Sequence, residues 1–185
     1  MTKSIPNLSS IHTIVFDFDG VFTNNKVWVD QDGKESVRCD RGDGLAFDMV
    51  RAFQKQGKLK AEILILSKEL NPVVISRARK LHLDCHHGIS NKLSYMKEYF
   101  ESRFSKSQNY FDGLIYLGND LNDLPLMRRA GFAVAPADAH PKVCEIAHLV
   151  MEQRGGEGFV RAFIELLLDI DNLTRTHFDF NLQMD

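Results

Sequence analysis

With 185 residues, 44% of them hydrophobic, the chain is long enough to bury one sizeable core and reads as a single domain over 1–185. A formal net charge of -2 gives no electrostatic reason to expect nucleic acid or an anionic membrane, and no apolar run is long enough to span a bilayer. Cys39, Cys85 and Cys144 are scattered without a Cys-x-x-Cys pair, and residues 1–10 lack an apolar signal core, so the expectation is reduced thiols in the cytoplasm.

Residues 1–10 read as a loose leader. From His12 to Phe16 an apolar run forms the expected central strand, and it climbs into Asp17-Phe18-Asp19-Gly20. Alternate side chains share one face of a strand, so Asp17 and Asp19 point the same way as the chain leaves the sheet, and Gly20 permits a sharp turn. Two such acids repel unless a proton or cation lies between them, which suggests a Mg²⁺ site. One carboxylate is placed to attack phosphorus while the other moves protons at the leaving oxygen.

A hairpin follows at 26–38, its arms Lys26–Val29 and Glu35–Arg38 flanking an Asp-Gly turn at Asp32-Gly33. Asp43-Gly44 opens a helix that Gly57 stops. Glu62 to Leu66 is a second core strand, ending at the hydroxyl of Ser67. Asn71-Pro72 caps a helix running to about His82, with Arg77, Arg79 and Lys80 on a basic face. Asp84 to His87 is a short strand; adjacent His86 and His87 cannot easily share one metal and are read as core or loop residues. Asn91 to Arg103 is helical, and Ser105 to Asn109 a polar loop. Leu114 to Leu117 is the next strand and breaks at Gly118 into Asn119-Asp120-Leu121-Asn122-Asp123. A helix over about 122–129, a strand at Phe132–Val134, a short helix from His140-Pro141, an edge strand at His148–Val150, a Gly-rich break at Gly155–Gly158 and an apolar helix over 159–170 complete the order, before a tail at 172–185. Strands alternating with helices imply an α/β fold with a parallel sheet covered on both faces.

Taken singly, Ser67 is a strand-end turn cap and Lys92 a solvated helix-start lysine. In order along the chain, the Asp17/Asp19 pair, Ser67, Lys92 and the Gly118–Asp123 cluster resemble the four motifs of the haloacid dehalogenase superfamily of phosphotransferases, over about residues 11–171. The resemblance implies a Rossmann-like fold with Asp17 as nucleophile, Asp19 as acid–base, Ser67 and Lys92 on the phosphate, and Mg²⁺ held by Asp17, Asp19 and Asn119 with Asp120 and Asp123 behind them. Superfamily members often insert a cap domain after the first motif; here there is room only for the hairpin, which leaves a neighbouring subunit to close the site.

Asp17-Phe18-Asp19-Gly20-Val21-Phe22-Thr23, Asp43-Gly44, Ser90-Asn91-Lys92-Leu93, Ala137–Pro141 and Gly155-Gly156-Glu157-Gly158 with Arg161 are similar to the capless phosphatases of eight- and nine-carbon sugar acids. That similarity implies a homotetramer, with the Gly-Gly segment and Arg154 or Arg161 reaching a neighbour's pocket. It leaves two substrates, N-acylneuraminate 9-phosphate (or a related nonulosonate phosphate) and 3-deoxy-D-manno-octulosonate 8-phosphate. The octulosonate branch commonly carries Gly-Arg where this chain has Lys68-Glu69, whereas Glu69 and Lys80 match the neuraminate branch, which makes the nine-carbon acid the first expectation. One departure stands out: the usual metal-binding Asp is Asn119 here, and similar Gly-Asn turns occur in modules joined to acylneuraminate cytidylyltransferases. A non-catalytic oligomerisation module is therefore the alternative of another class.

Overall fold

The computed structural model describes residues 4–104 and 109–173. Residues 174–185 of the expected tail and 105–108 of the expected polar loop lie outside the described residues. The elements run β1 (Thr13–Phe16), β2 (Thr23–Val29), β3 (Glu35–Cys39), α1 (Gly42–Lys55), β4 (Glu62–Leu66), α2 (Val73–Leu81) and β5 (Asp84–His86). They continue with α3 (Lys92–Glu101), β6 (Leu114–Leu117), α4 (Leu124–Met127), β7 (Phe132–Ala135), α5 (Pro141–Ile146), β8 (Leu149–Val150) and α6 (Phe159–Leu167). The leader is less loose than expected: Leu8–Ser10 is a 3₁₀ turn capped by the Asn7 side chain.

Six strands form one sheet in the order β5-β4-β1-β6-β7-β8, with every pairing parallel. The chain therefore moves outward from β1 through β4 to β5, then returns past β1 and moves outward again through β6, β7 and β8. Right-handed crossovers taken in opposite directions put their helices on opposite faces. Accordingly α1, α2 and α6 cover a core containing Ile14, Phe16, Phe47, Val74, Ile115 and Phe163. On the other face α3, α4 and α5 cover Val15, Leu64, Met96, Phe100, Tyr116 and Val143. The side-chain alternation of β1 is visible in this division, with Val15 on one face and Ile14 and Phe16 on the other.

The reversal of strand order around β1 is where an open parallel sheet leaves a crevice at the carboxyl ends of its strands. Asp17, Ser67 and Gly118 follow directly on β1, β4 and β6, so three of the four expected motifs arrive at this crevice together.

The insertion after β1 is a two-stranded antiparallel ribbon, β2 with β3, pairing Val27 with Val37 and Val29 with Glu35. It is longer than the expected 26–38. Its turn is pinned by Asp30, whose Oδ1 accepts the N–H groups of Asp32 and Lys34, while Gly33 takes φ +77. In α2, Asn71 Oδ1 accepts the Val73 N–H as expected of a cap, although the helix begins one residue later than read. Helix α4 is a single turn rather than eight residues. Pro125 at its start has no N–H to give, and the residues before it are used in tight turns around Asp123.

Candidate active site

Asp17 is buried, and Phe18 beside it is fully buried in the α1/α2/α6 core, so the alternation of β1 carries on past its last paired residue. Asp17 and Asp19 consequently open into one cleft of about 460 Å³ that Ser67, Glu69, Asn119 and Asp120 also line. Asp17 Oδ1 accepts the Phe18 N–H at 2.7 Å and lies 2.6 Å from Lys92 Nζ. Lys92 reaches it from the first turn of α3, whose start Asn91 fixes by accepting the Ser94 N–H.

Lys92 Nζ also lies 2.7 Å from Asp123 Oδ1. Asp123 is fully buried and uses both oxygens: Oδ1 takes Lys92 and the Tyr116 hydroxyl, and Oδ2 takes the N–H groups of Asn119 and Asp120. Its place is thus the scaffold of the 118–123 turn, one layer behind the cleft. The Asp120 side chain lines the cleft and accepts the Leu121 N–H. Ser67 is buried at the end of β4, its Oγ accepting the Glu69 N–H at 3.0 Å, which leaves its own proton to donate.

Burial raises the Asp17 carboxyl to about 7, and the Asp123 charge pushes the same way against Lys92. Asp19 is raised too, first by burial and then by the Glu69 carboxylate, with the Thr23 hydroxyl opposing. Burial works against the charge on Lys92, but its two carboxylate partners together outweigh that and hold its pKa above the ordinary value. The centre is one cation among several crowded acids, an arrangement that favours either retained protons or a bound metal cation.

The donor set fits such a cation. Asn119 Oδ1 is buried and has no hydrogen-bond partner among the described residues, an acceptor whose isolation costs about 1–3 kcal/mol if nothing binds it. With the Asp17 carboxylate in the same cleft, this is a set of hard oxygen donors. Gly20, at φ +80, presses its Cα against the Asn119 amide so closely that a Cβ there would fall 1.9 Å from Nδ2. Only glycine lets the amide sit where it does.

Other expected site residues are placed differently. Glu69 lines the cleft, its Oε1 accepting the N–H groups of Leu70 and Asn71. Lys80 does not join it: it is exposed in the last turn of α2, roughly 10 Å along the axis from the residue that starts the helix beside the cleft. Arg161 pairs with Glu165 on α6 and packs over Gly42, outside this chain's own cleft. Arg154 pairs with Asp138. The Gly155-Gly156 turn packs in its own chain, where a Cβ on Gly155 would fall 2.0 Å from the Gly20 carbonyl oxygen and Gly156 donates its N–H to the Val21 carbonyl. It buttresses the loop after Asp19, and close backbone contact is what the two glycines are for.

Sequence reasoning gave no role of their own to Tyr116 and Asn122, although both fall in or beside the Gly118–Asp123 motif, and it passed over Asn25. Tyr116 had a signal: a phenol in a strand buried on both faces needs a partner for its hydroxyl, and an acidic turn follows it directly. Asn25 lines the cleft from the irregular start of β2, at φ +59, and Asn122 from the turn after Gly118, and neither carries a periodic signal.

A profile of the haloacid dehalogenase-like hydrolase family matches residues 46–163. The chain belongs to that family, as a phosphatase. It is 28% identical over 165 residues to the 3-deoxy-D-manno-octulosonate 8-phosphate phosphatase KdsC of Escherichia coli, covering 89% of this chain and 82% of that protein. Among solved structures, a HAD family hydrolase of Streptomyces avermitilis superposes with a TM-score of 0.78 at 38% identity, over 91% of this chain and 97% of the other. A YrbI family phosphatase of Pseudomonas syringae superposes with a TM-score of 0.79 at 30% identity, over 96% of each chain.

Proposed function

We propose that the chain is a Mg²⁺-dependent phosphomonoesterase that hydrolyses the terminal phosphate ester of a 2-keto sugar acid, with 3-deoxy-D-manno-octulosonate 8-phosphate as the leading substrate. The observation that carries the chemistry is the convergence of Asp17, Asp19, Ser67, Lys92 and the orphaned Asn119 oxygen at one sheet edge. The naming of the curated relatives favours the eight-carbon acid over the nine-carbon one.

Asp17 Oδ1 is held by Lys92 and the Phe18 amide, so Oδ2 is the oxygen that attacks phosphorus in line with the leaving alcohol. The Oδ2–P bond forms, the P–O bond to the sugar breaks, and Asp19 gives its proton to the departing oxygen. Burial and the Glu69 carboxylate, which raise the Asp19 pKa, favour the protonated form that this step uses. Asp19 then takes a proton from water as its oxygen attacks the aspartyl phosphate, releasing Asp17 and phosphate. The Ser67 hydroxyl donates to a phosphoryl oxygen, and Lys92 offsets charge on Asp17 and on the transferring group. Asp17, the Asp19 main-chain carbonyl and Asn119 would hold Mg²⁺, which when bound neutralises phosphate charge so that a carboxylate can approach.

Glu69, at the cleft mouth in place of an arginine, favours a second reading, N-acylneuraminate 9-phosphate or a related nonulosonate 9-phosphate. The withdrawal of Lys80 from the cleft removes the other half of that argument. With Mg²⁺ present, we expect kcat/KM on the eight-carbon 8-phosphate to exceed that on the nine-carbon 9-phosphate; the reverse order would promote the second reading. Asp17→Asn should abolish phosphate release, and a chain with no activity on any phosphate ester would revive the non-catalytic module.

A homotetramer is part of this proposal. Val27, Trp28 and Val29 are each more than half exposed on the hairpin, an apolar edge that a second copy would cover.

A further inference from the structure

Beside the phosphate cleft lies a second cavity of about 270 Å³, between the hairpin and the start of α2. The two share Asp19, Asn25 and Glu69 as a common wall. This position decides what enters. The leaving oxygen must sit against Asp19 to receive its proton, which brings the side cavity within reach of the alcohol attached to it.

The cavity's own lining is distinctive. Its charged residues are Asp19, Glu35 and Glu69, all acids, and none of its lining residues is a cation. Lys68 lines the phosphate cleft instead. Glu35 on β3 is bound to the head of α2 by Asn71, whose Nδ2 donates to Glu35 Oε2 at 2.9 Å while its Oδ1 accepts the Val73 N–H. That clasp fixes the two walls relative to each other. Glu69 Oε1 is spent on the Leu70 and Asn71 amides. Glu35 Oε1 and Glu69 Oε2 are left without a hydrogen-bond partner among the described residues. Val27, Val37 and Val73 supply apolar surface between them. Free carboxylate oxygens accept from hydroxyls and repel another carboxylate.

We propose that this side cavity is the subsite for the leaving alcohol, that Glu35 and Glu69 select a neutral polyhydroxylated chain by accepting its hydroxyl protons, and that a substrate's own carboxylate is directed out of the cavity. Glu35, held by Asn71, is the specificity-determining residue. The inference rests on the phosphomonoesterase reading above but not on which sugar acid is the substrate.

The test compares glucitol 6-phosphate with n-hexyl phosphate, the same carbon chain with and without hydroxyls, on the full-length chain with Mg²⁺. The expected ratio of kcat/KM is about tenfold or more in favour of the polyol, since acceptors left unpaired by the alkyl chain penalise it. Glu35→Ala should lower that ratio about tenfold, and Glu35→Gln, which keeps an acceptor oxygen and the clasp, should lower it less. A third compound, 6-phosphogluconate, replaces the far hydroxymethyl of glucitol 6-phosphate with a carboxylate and should be no better a substrate. A ratio near one, a ratio that Glu35→Ala leaves unchanged, no detectable hydrolysis of glucitol 6-phosphate, or a clear preference for 6-phosphogluconate would each overturn the proposal. Because neither sugar-acid phosphate named above enters this comparison, failure on both of those would overturn that substrate reading while leaving the polyol ratio to be read independently.

Discussion

Asp43 shows what a buried acid outside the reaction does to this protein. It sits in the first turn of α1, 3.3 Å from Arg77, whose guanidinium also donates to the Asp40 carbonyl. Burial outweighs the Arg77 charge and raises the carboxyl from 3.8 to about 7. Between those two values the folded chain holds a proton at Asp43 that the unfolded chain has released, so this group's contribution to stability is lost as pH rises through that window. Urea midpoints taken from pH 4 to pH 8 should fall less steeply in Asp43→Asn than in the wild type. Parallel profiles would mean that Asp43 is not protonated in the folded state. At the metal-binding end, Asn119→Asp should lower the Mg²⁺ concentration for half-maximal activity by adding a charge to the amide's position. Gly20→Ala should raise it, because a Cβ there drives the amide out. An unchanged Mg²⁺ titration in both variants would place Asn119 outside the metal's ligands. The convergence of Asp17, Asp19, Ser67, Lys92 and Asn119 was expected from the motif order that the resemblance supplied, not from any one of them singly, and it survives small errors in element boundaries because each follows a core strand or opens a helix at the same end of the sheet. Lys80 was expected near Glu69 on the pairing that the branch resemblance implied, provided the helix leaned over the pocket, and it lies instead exposed in the last turn of α2. Along a helix, the residues between the two become length directed away from the cleft.

Among the elements, the bounds of β4 and β6 were readable to the residue, since β6 is an apolar run between Gly113 and Gly118 and the apolar run of β4 follows Glu62 and stops at Ser67. Helix α4 was overread because Leu124, Leu126 and Met127 are apolar at spacings that fit a longer helix, and the tight turn on Asp123 leaves no periodic trace. The Gly155-Gly156 turn was legible as a break but not as a buttress, for a close approach between two backbones writes nothing into side-chain pattern. Gly156 lies at φ +66, and a Cβ on it would fall 2.5 Å from the Asn24 amide nitrogen. Gly156→Ala should therefore cost about 1–3 kcal/mol of stability and push back the 20–24 loop, lowering kcat as well. Urea unfolding and kcat measured on the same preparation check this, and a stable variant with reduced turnover would still locate the effect in the loop.

At the scale of the whole molecule, the reversal of strand order divides the labour between faces. The α3/α4/α5 side supplies Lys92, Tyr116 and Asp123 behind the nucleophile, and the α1/α2/α6 side holds Phe18 and the loop that carries Asp19. That much follows from alternating strands and helices. What no single sequence displays is how copies meet. If the hairpin edge is covered by other copies, Trp28→Arg should reduce the mass seen by light scattering from that of a tetramer, and a wild-type chain that is an active monomer would remove the assembly from the proposed function.

The ribbon of β2 and β3 has a further consequence. The nucleophile stands on the innermost strand of a six-stranded sheet, whereas the wall facing the leaving group stands on a two-stranded ribbon, a kind of structure only marginally stable by itself in water. Amide hydrogens of β2 and β3 should accordingly exchange with solvent long before those of β1 and β6. Substitutions in the ribbon beyond its first residues, which Gly155 and Gly156 hold, can thus accumulate without disturbing the sheet that holds the phosphate chemistry. A lineage built this way can change the sugar it accepts many times while its reaction stays the same.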